Sequence, residues 1–502
     1  MRYLPDSEEM RRMDAHTIHT MGIPSIILME HAAQGVVSEM EDCLSRQSLI
    51  LVLCGSGNNG ADGLAAARLL SHKGYEVHLA LVGNEAHATE EWHIQRNICA
   101  KLGIPVYEGD MDGECLKAAG YTHLVDCLFG TGLSREVGGA YFQAITAVNS
   151  SGIYTVSVDI PSGISSDTGA VMGCAVKADM TVAIHAEKLG MALYPGHGCC
   201  GKIKICDIGI TKESADYVSP KAYTLDSTDL AGLPARPAYS NKGSFGKLLI
   251  LGGTKNMSGA AYLSGLAACR SGAGLVKIMT CESNRTILQQ LLPEALLVTY
   301  PDPGAEGEAT SAVDVLKEAM AWATAIVAGP GLGTGHVPST LMEYLLRHTD
   351  KPLLIDADGL NIIAARPGLK ELIGSNVVIT PHLGEMSRLS AVPIAEIQSA
   401  IARTAADFSR DHGCVTVLKD ARTVVAFPDG RLYVNTCGNS GMATGGSGDV
   451  LSGAIGGMLA AGSNPREAAV YGTLRHSLAG DLAAADVGER ALIARDIAWR
   501  LI

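Results

Sequence analysis

The chain has 502 residues, more than one domain usually spans, so two or three domains are expected. Its 47% hydrophobic and 18% charged residues fit soluble globular domains. The net charge of -13 is not gathered into a tail. That argues against nucleic acid as a partner, while small anions stay open because helix N-termini hold phosphate without net positive charge.

The N-terminal stretch MRYLPDSEEMRRMDAHT lacks an apolar signal-like run, and no stretch of about 18 apolar residues follows anywhere. A cytoplasmic location and no membrane partner are therefore expected. These first residues predict a helix capped by Asp6 or Ser7, with Glu9 in its first turn. The 13 cysteines are scattered without a C-x-x-C pair and read as reduced core thiols. The 58 glycines, in the absence of low-complexity tracts, point to tight turns and close approach of backbone to ligands.

A β–α alternation follows. Apolar runs at 49–55, 76–83, 122–130, 154–163, 178–185 and 202–210 predict strands, and 64–74 reads as a helix. Strands separated by helices predict a parallel sheet covered on both faces. Residues 213–238 are polar, proline-bearing and aperiodic, and read as a linker between a domain at 1–212 and another at 239–502. The pattern then restarts with a strand at 247–253, a helix at 258–272 and a strand at 273–280. Further strands are expected at 323–328, 352–356, 376–380, 414–418 and 422–427. The fold class is α/β, in two consecutive domains.

Three strand ends in the first domain carry polar, glycine-bearing loops: CGSGNNGADG (54–63), DCLFGTGLSREVGG (126–139) and VDIPSGISSDTG (158–169). Open α/β sheets bind ligands at strand ends, and a carboxylate ending a buried strand is costly without a partner. Asn59, Asp126 and Ser162 offer oxygen without thiolate or imidazole, a set suited to a hard cation. These loops, with the PGHGCCGKIKICDIGI ending (195–210), resemble the NAD(P)H-hydrate epimerase family, a Rossmann-like domain.

The resemblance implies a potassium ion on Asn59, Asp126 and Ser162. It also implies hydrate binding by Asn58, Asn59, Gly60, Ala61 and Asp62, by Gly130, Thr131, Gly132, Leu133, Ser134, Arg135 and Glu136, and by Tyr141. Asp159 would be catalytic and touch the reacting ring. A carboxylate there suits the chemistry: nitrogen lone-pair push expels the ring hydroxyl, and the planar cation accepts water on either face.

In the second domain, GNSGMATGGSGDVLSGAIGGMLA (438–460) leaves the backbone bare at Gly445, Gly446 and Gly448 just before a helix beginning near Asp449. N–H groups and the positive helix end there suit an anion. Asp449 is placed to take a proton from a hydroxyl attacking a terminal phosphoryl group, as in ribokinase-like phosphoryl transfer. GPGLG (329–333), DADGLN (356–361), TPHLGEMSRL (380–389) and VLKDARTVV (417–425) supply further strand ends and turns.

Together these motifs resemble the ADP-dependent NAD(P)H-hydrate dehydratase family over roughly residues 225–502. The resemblance implies that Ala260, Gly331, Gly333, His382 and catalytic Asp449 contact the hydrated dinucleotide. Lys419, Asp420, Ala421, Arg422, Thr423 and Gly448 would contact the nucleotide. Mg²⁺ and ADP are the implied cofactors, and hydrated NADH and NADPH (NADHX and NADPHX) the substrates, in a homo-oligomer. The alternative is a ribokinase-like small-molecule kinase fused to a dinucleotide-binding module. A kinase leaves phosphate on its product, whereas a dehydratase releases it.

Overall fold

The computed structural model describes residues 1–302 and 308–501. The chain divides into two compact units, Tyr3–Tyr223 and Thr224–Ile502, the latter joined by Met1–Arg2.

In the first unit, six strands form a parallel sheet in the order Glu76–Leu81, Leu49–Cys54, His123–Cys127, Tyr154–Val158, Met180–Ile184, Lys202–Cys206. Its central strands are buried along nearly their whole length, as continuous apolar runs require when both faces are covered. The opening helix Ser7–His19 is capped by Asp6 with Glu9 in reciprocal contact, as expected.

The helix after the first strand starts at Asn58, well before the predicted 64, so NNGADG is helix and not loop. Its glycines serve packing: a Cβ on Gly60 would lie 1.8 Å from the Gly55 carbonyl oxygen, and one on Gly63 would lie 2.6 Å from Cys127 Cβ. Ala61, buried in the first turn, donates its N–H to the Gly57 carbonyl.

In the second unit the strands lie in the order Leu432–Val434, Val424–Ala426, Val415–Leu418, Val377–Ile379, Leu353–Ile355, Ala325–Ala328, Lys247–Leu251, Leu275–Cys281, Leu296–Tyr300. Pairing is parallel from Val415–Leu418 onward through this order, and antiparallel at the hairpin Val415–Leu418/Val424–Ala426 and beyond it. Helix Ser447–Ala460 packs against helix Ser258–Arg270 at near-backbone contact, because a Cβ on Gly453 would lie 2.1 Å from the Ser264 carbonyl oxygen.

The expected linker at 213–238 is not structureless. It holds most of helix Lys212–Val218, capped by Thr211, then a short strand Ala222–Thr224 and a turn Ser227–Gly232 capped by Asp226. The unit boundary falls inside it, at Tyr223/Thr224. Its polar side chains are spent on caps and a solvated surface, which composition alone reads as flexibility.

Candidate functional sites at the strand ends of both units

In the first unit the three Gly-bearing strand ends open onto one cavity of about 1010 Å³. It is lined by Asn58, Asn59 and Asp62, by the whole run Gly130–Glu136, and by Tyr141 and Asp159. Gly60 and Ala61 are not among its walls. They face the sheet, for the packing reason given above.

Beneath the cavity, Asp126 ends its strand fully buried. Its carboxylate accepts from Ser157 Oγ (2.8 Å), Ser162 N (2.9 Å), Ser162 Oγ (2.6 Å) and Leu128 N (3.3 Å). Burial raises its proton affinity, and those hydrogen bonds oppose the rise. Asn59 donates its amide to the carbonyls of Phe129 (2.8 Å) and Val158 (3.2 Å), and its buried Oδ1 has no partner among the described residues. Ser162 Oγ lies 3.2 Å from that same Phe129 carbonyl. Asn59, Asp126 and Ser162 are thus brought together, and an orphaned acceptor in an all-oxygen setting fits a hard cation.

Asp159 adopts φ +71°, a left-handed conformation rare outside glycine. Its carboxylate is ion-paired with Lys188, whose ammonium also donates to the Ile184 carbonyl at 2.7 Å. Lys188 is completely buried, so its charge depends on this partner. Sequence reasoning missed both Lys188 and Asp14, which also line the cavity. Burial, then the Asp159 charge, pushes the Asp14 carboxyl up to about 6, and burial pushes Asp62 well above the usual carboxylate range.

In the second unit, helix Ser447–Ala460 begins from Gly446 in the left-handed region at φ +92°. Gly448 leaves its first turn bare, with Lys419 Nζ 3.4 Å from where a Cβ would sit. Lys419 reaches there because its backbone N–H bonds the Pro381 carbonyl (2.8 Å) and its ammonium donates to Asp356 Oδ1 (2.8 Å). Asp356, buried at its strand end, also accepts from Ser452 Oγ at 2.6 Å. Burial alone would weaken the Lys419 charge, but Asp356, Glu385 and Asp449 outweigh it and leave its proton affinity raised. Asp449 has no such partner among the described residues: burial first, then the Asp356 charge, pushes its carboxyl up to about 7.

Gly331 and Gly333 adopt φ +57° and +79°, and a Cβ on Gly331 would lie 2.8 Å from that of Ala260, so these predicted contacts adjoin one another. Asp358 holds the Gly333 N–H at 2.8 Å. His382 caps helix Leu383–Ser390: its Nδ1 accepts from Gly384 N (3.0 Å), and Glu385 accepts from the His382 N–H (2.9 Å). That duty fixes the ring beside Lys419 and leaves its outer edge exposed.

Of the predicted nucleotide set, Lys419 and Gly448 converge. Asp420 and Ala421 are exposed at the hairpin turn, and Arg422 donates to the Thr436 carbonyl. Thr423 also lies in that turn, its carbonyl accepting from Asn435 N. The contacts that Asp356 makes with Lys419 and Ser452 were not read from the sequence.

An acidic cavity over oxygen ligands in one unit, and a bare helix start with a lysine and an unpaired aspartate in the other, define an α/β enzyme built for two separate reactions. Residues 248–501 match the model of the NAD(P)H-hydrate dehydratase family, and residues 25–190 that of the YjeF-related protein N-terminus. The bifunctional NAD(P)H-hydrate repair enzyme of Moorella thermoacetica is 35% identical over 99% of this chain and 95% of its own length. Its counterpart in Escherichia coli is 33% identical over 98% and 92%. Among solved structures, the ADP/ATP-dependent NAD(P)H-hydrate dehydratase from Bacillus subtilis, co-crystallized with ATP/Mg²⁺, is 32% identical with a TM-score of 0.45, covering 54% of this chain and 92% of that one. The chain belongs to the family of bifunctional NAD(P)H-hydrate repair enzymes.

Proposed function

We propose that the protein returns NADHX and NADPHX to working cofactor. The first unit interconverts the R and S hydrates, and the second dehydrates the S form with ADP, yielding AMP and phosphate. The observation that carries this reading is the start of helix Ser447–Ala460, where bare Gly448, Lys419 and unpaired Asp449 meet. Asp449 takes the proton of the ring hydroxyl as that oxygen attacks the terminal phosphoryl group. The amides at the helix start and Lys419 hold the phosphate charge. The ring nitrogen then expels phosphate, a far better leaving group than hydroxide. Ala260, Gly331, Gly333 and His382 bound the dinucleotide's place, and the Lys419–Thr423 turn that of the nucleotide.

Mg²⁺ would arrive with the nucleotide and supply positive charge against the phosphoryl group being transferred. No group of three or more His, Cys, Asp or Glu forms a cage among the described residues. K⁺ fits the first unit: Asn59 Oδ1 and Ser162 Oγ would hold it, with the Asp126 carboxylate as counter-charge, and it would draw the loop ends together beneath the ring. All thirteen cysteines are free thiols, which supports a cytoplasmic location.

The test incubates each hydrate epimer with ADP or ATP, Mg²⁺ and K⁺, following recovery of the reduced cofactor's absorbance and the fate of the phosphate. Both epimers should be recovered with inorganic phosphate released. A stable phosphorylated product would establish the kinase reading instead.

A further inference from the structure

Five carboxylates line the epimerase cavity, those of Asp14, Asp62, Glu91, Glu136 and Asp159, and Asp14, Asp62 and Asp159 are charged neighbours of one another around the Lys188 ammonium. Asp159 is the counter-charge of buried Lys188 and so carries charge. Asp14 comes from a different element, helix Ser7–His19, yet lines the same cavity. No hydrogen bond or ion pair to its carboxylate occurs among the described residues, and its charged neighbours are Asp159, Lys188 and Asp62. Asp14 sits between Met13 and Thr17 on the helix face that is otherwise buried, a costly position for a carboxylate with no structural bond to make. Asp62, by contrast, belongs to the Gly-rich helix start expected to bind phosphate and ribose.

We propose that Asp14 is a second catalytic residue of the epimerisation, the proton donor to the departing hydroxyl, with Lys188 a positioning residue that fixes Asp159. The inference rests on the epimerase reading above. In the forward step the ring nitrogen's lone pair forms the C=N bond. The C–O bond breaks with its electron pair going to oxygen, and that oxygen takes the proton of Asp14 and leaves as water. Water then adds to the other face: its oxygen bonds the ring carbon, the C=N pair returns to nitrogen, and the surplus proton goes to Asp159. Exchange with solvent returns the proton to Asp14. One water leaves and one enters, with no net redox change. A carboxylate ion-paired with a buried lysine beside one that is not suits this division of labour, and the raised proton affinity of Asp14 supports it.

The test uses the full chain with the R hydrate and K⁺, without nucleotide, reading the epimer ratio by chromatography. Asp14→Asn should lower epimerisation kcat about 100-fold or more with KM within about threefold. Asp14→Glu should restore at least about tenfold of that loss, which a purely structural residue would not do. Dehydration of the S hydrate with ADP should be unchanged in both, and thermal melts establish that each variant folds. If Asp14→Asn does not fold, the Asp14→Glu variant decides alone, since a longer acid should keep activity that Asp14→Ser loses. Wild-type kcat in Asp14→Asn, or a loss through KM alone, overturns the proposal. If the wild-type chain leaves the R hydrate unchanged, it is the epimerase reading that fails.

Discussion

Asp449→Asn should make the second unit more stable while abolishing dehydration, and the gain should depend on pH. The folded protein raises the Asp449 carboxyl from 3.8 to about 7, through burial and then the Asp356 charge. Each tenfold change in proton affinity is about 1.4 kcal/mol, so the ionised carboxylate opposes folding by roughly 4 kcal/mol at most. Partial solvent access reduces this to about 2 kcal/mol. The sign follows from proton counting. Between 3.8 and 7 the folded chain holds a proton that the unfolded chain has lost, so stability falls as pH rises through that window and is level above it. Asparagine has nothing to ionise, so its advantage is absent below 3.8, about a third developed at pH 5, and full above 7. Because the chain has two units, a local readout is needed: hydrogen exchange of the amides in helix Ser447–Ala460, wild type against variant at equal pH. At pH 8 the variant's amides should exchange about 30-fold more slowly. Equal or faster exchange at pH 8, or a gain of the same size at pH 5, would refute the reasoning.

Gly448→Ala should fold normally, since its Cβ would meet Lys419 Nζ at 3.4 Å and Asp356 Oδ2 at 4.0 Å, but it should raise the nucleotide KM at least about tenfold by filling the anion cradle. Gly453→Ala is the contrast: a Cβ 2.1 Å from the Ser264 carbonyl should cost about 3 kcal/mol or more, read as a lowered melting transition. Replacing K⁺ by a bulky organic cation should lower both epimerisation and the melting point of the first unit. Asn59→Ala, which removes the orphaned Oδ1, should abolish the difference between the two cations. Dehydratase kcat/KM should fall about tenfold per pH step below about 7, where Asp449 gains a proton and ceases to act as base.

The parallel sheets and the strand-end loops were legible because buried parallel strands leave continuous apolar runs and their ends leave glycine and carboxylate. Asn59, Asp126, Ser162 and the Gly130–Glu136 loop were readable for that reason. The edge strand Leu296–Tyr300 went unread because, half exposed along most of its length, it lacks the buried run of its neighbours. Leu432–Val434 also went unread. NNGADG read as loop because six polar or small residues hide a helix start whose stability comes from packing on the strands beneath. Asp14 did leave a signal. The helix buries Met10, Met13 and Thr17, and a carboxylate at 14 breaks that face at a position where periodicity asks for an apolar residue. Lys188 left none, because a lone lysine after a strand is normally solvated, and only the fold carries this one to Asp159.

The two units answer the same physical problem in the same way. Each sets a carboxylate paired with a buried or half-buried lysine beside a second carboxylate whose proton affinity is raised. In the first unit Asp159 is fixed by buried Lys188, and in the second Asp356 is fixed by Lys419 and Ser452. Each pair presents a fixed charge at a strand end. Beside it stands a carboxylate without a bond of its own among the described residues, Asp14 or Asp449, whose proton affinity is raised by burial first and then by the neighbouring carboxylate. The lysine therefore does more than bind anions. It also fixes one carboxylate beside the second, whose proton affinity burial raises most, the neighbouring carboxylate raises further and the lysine's own charge lowers.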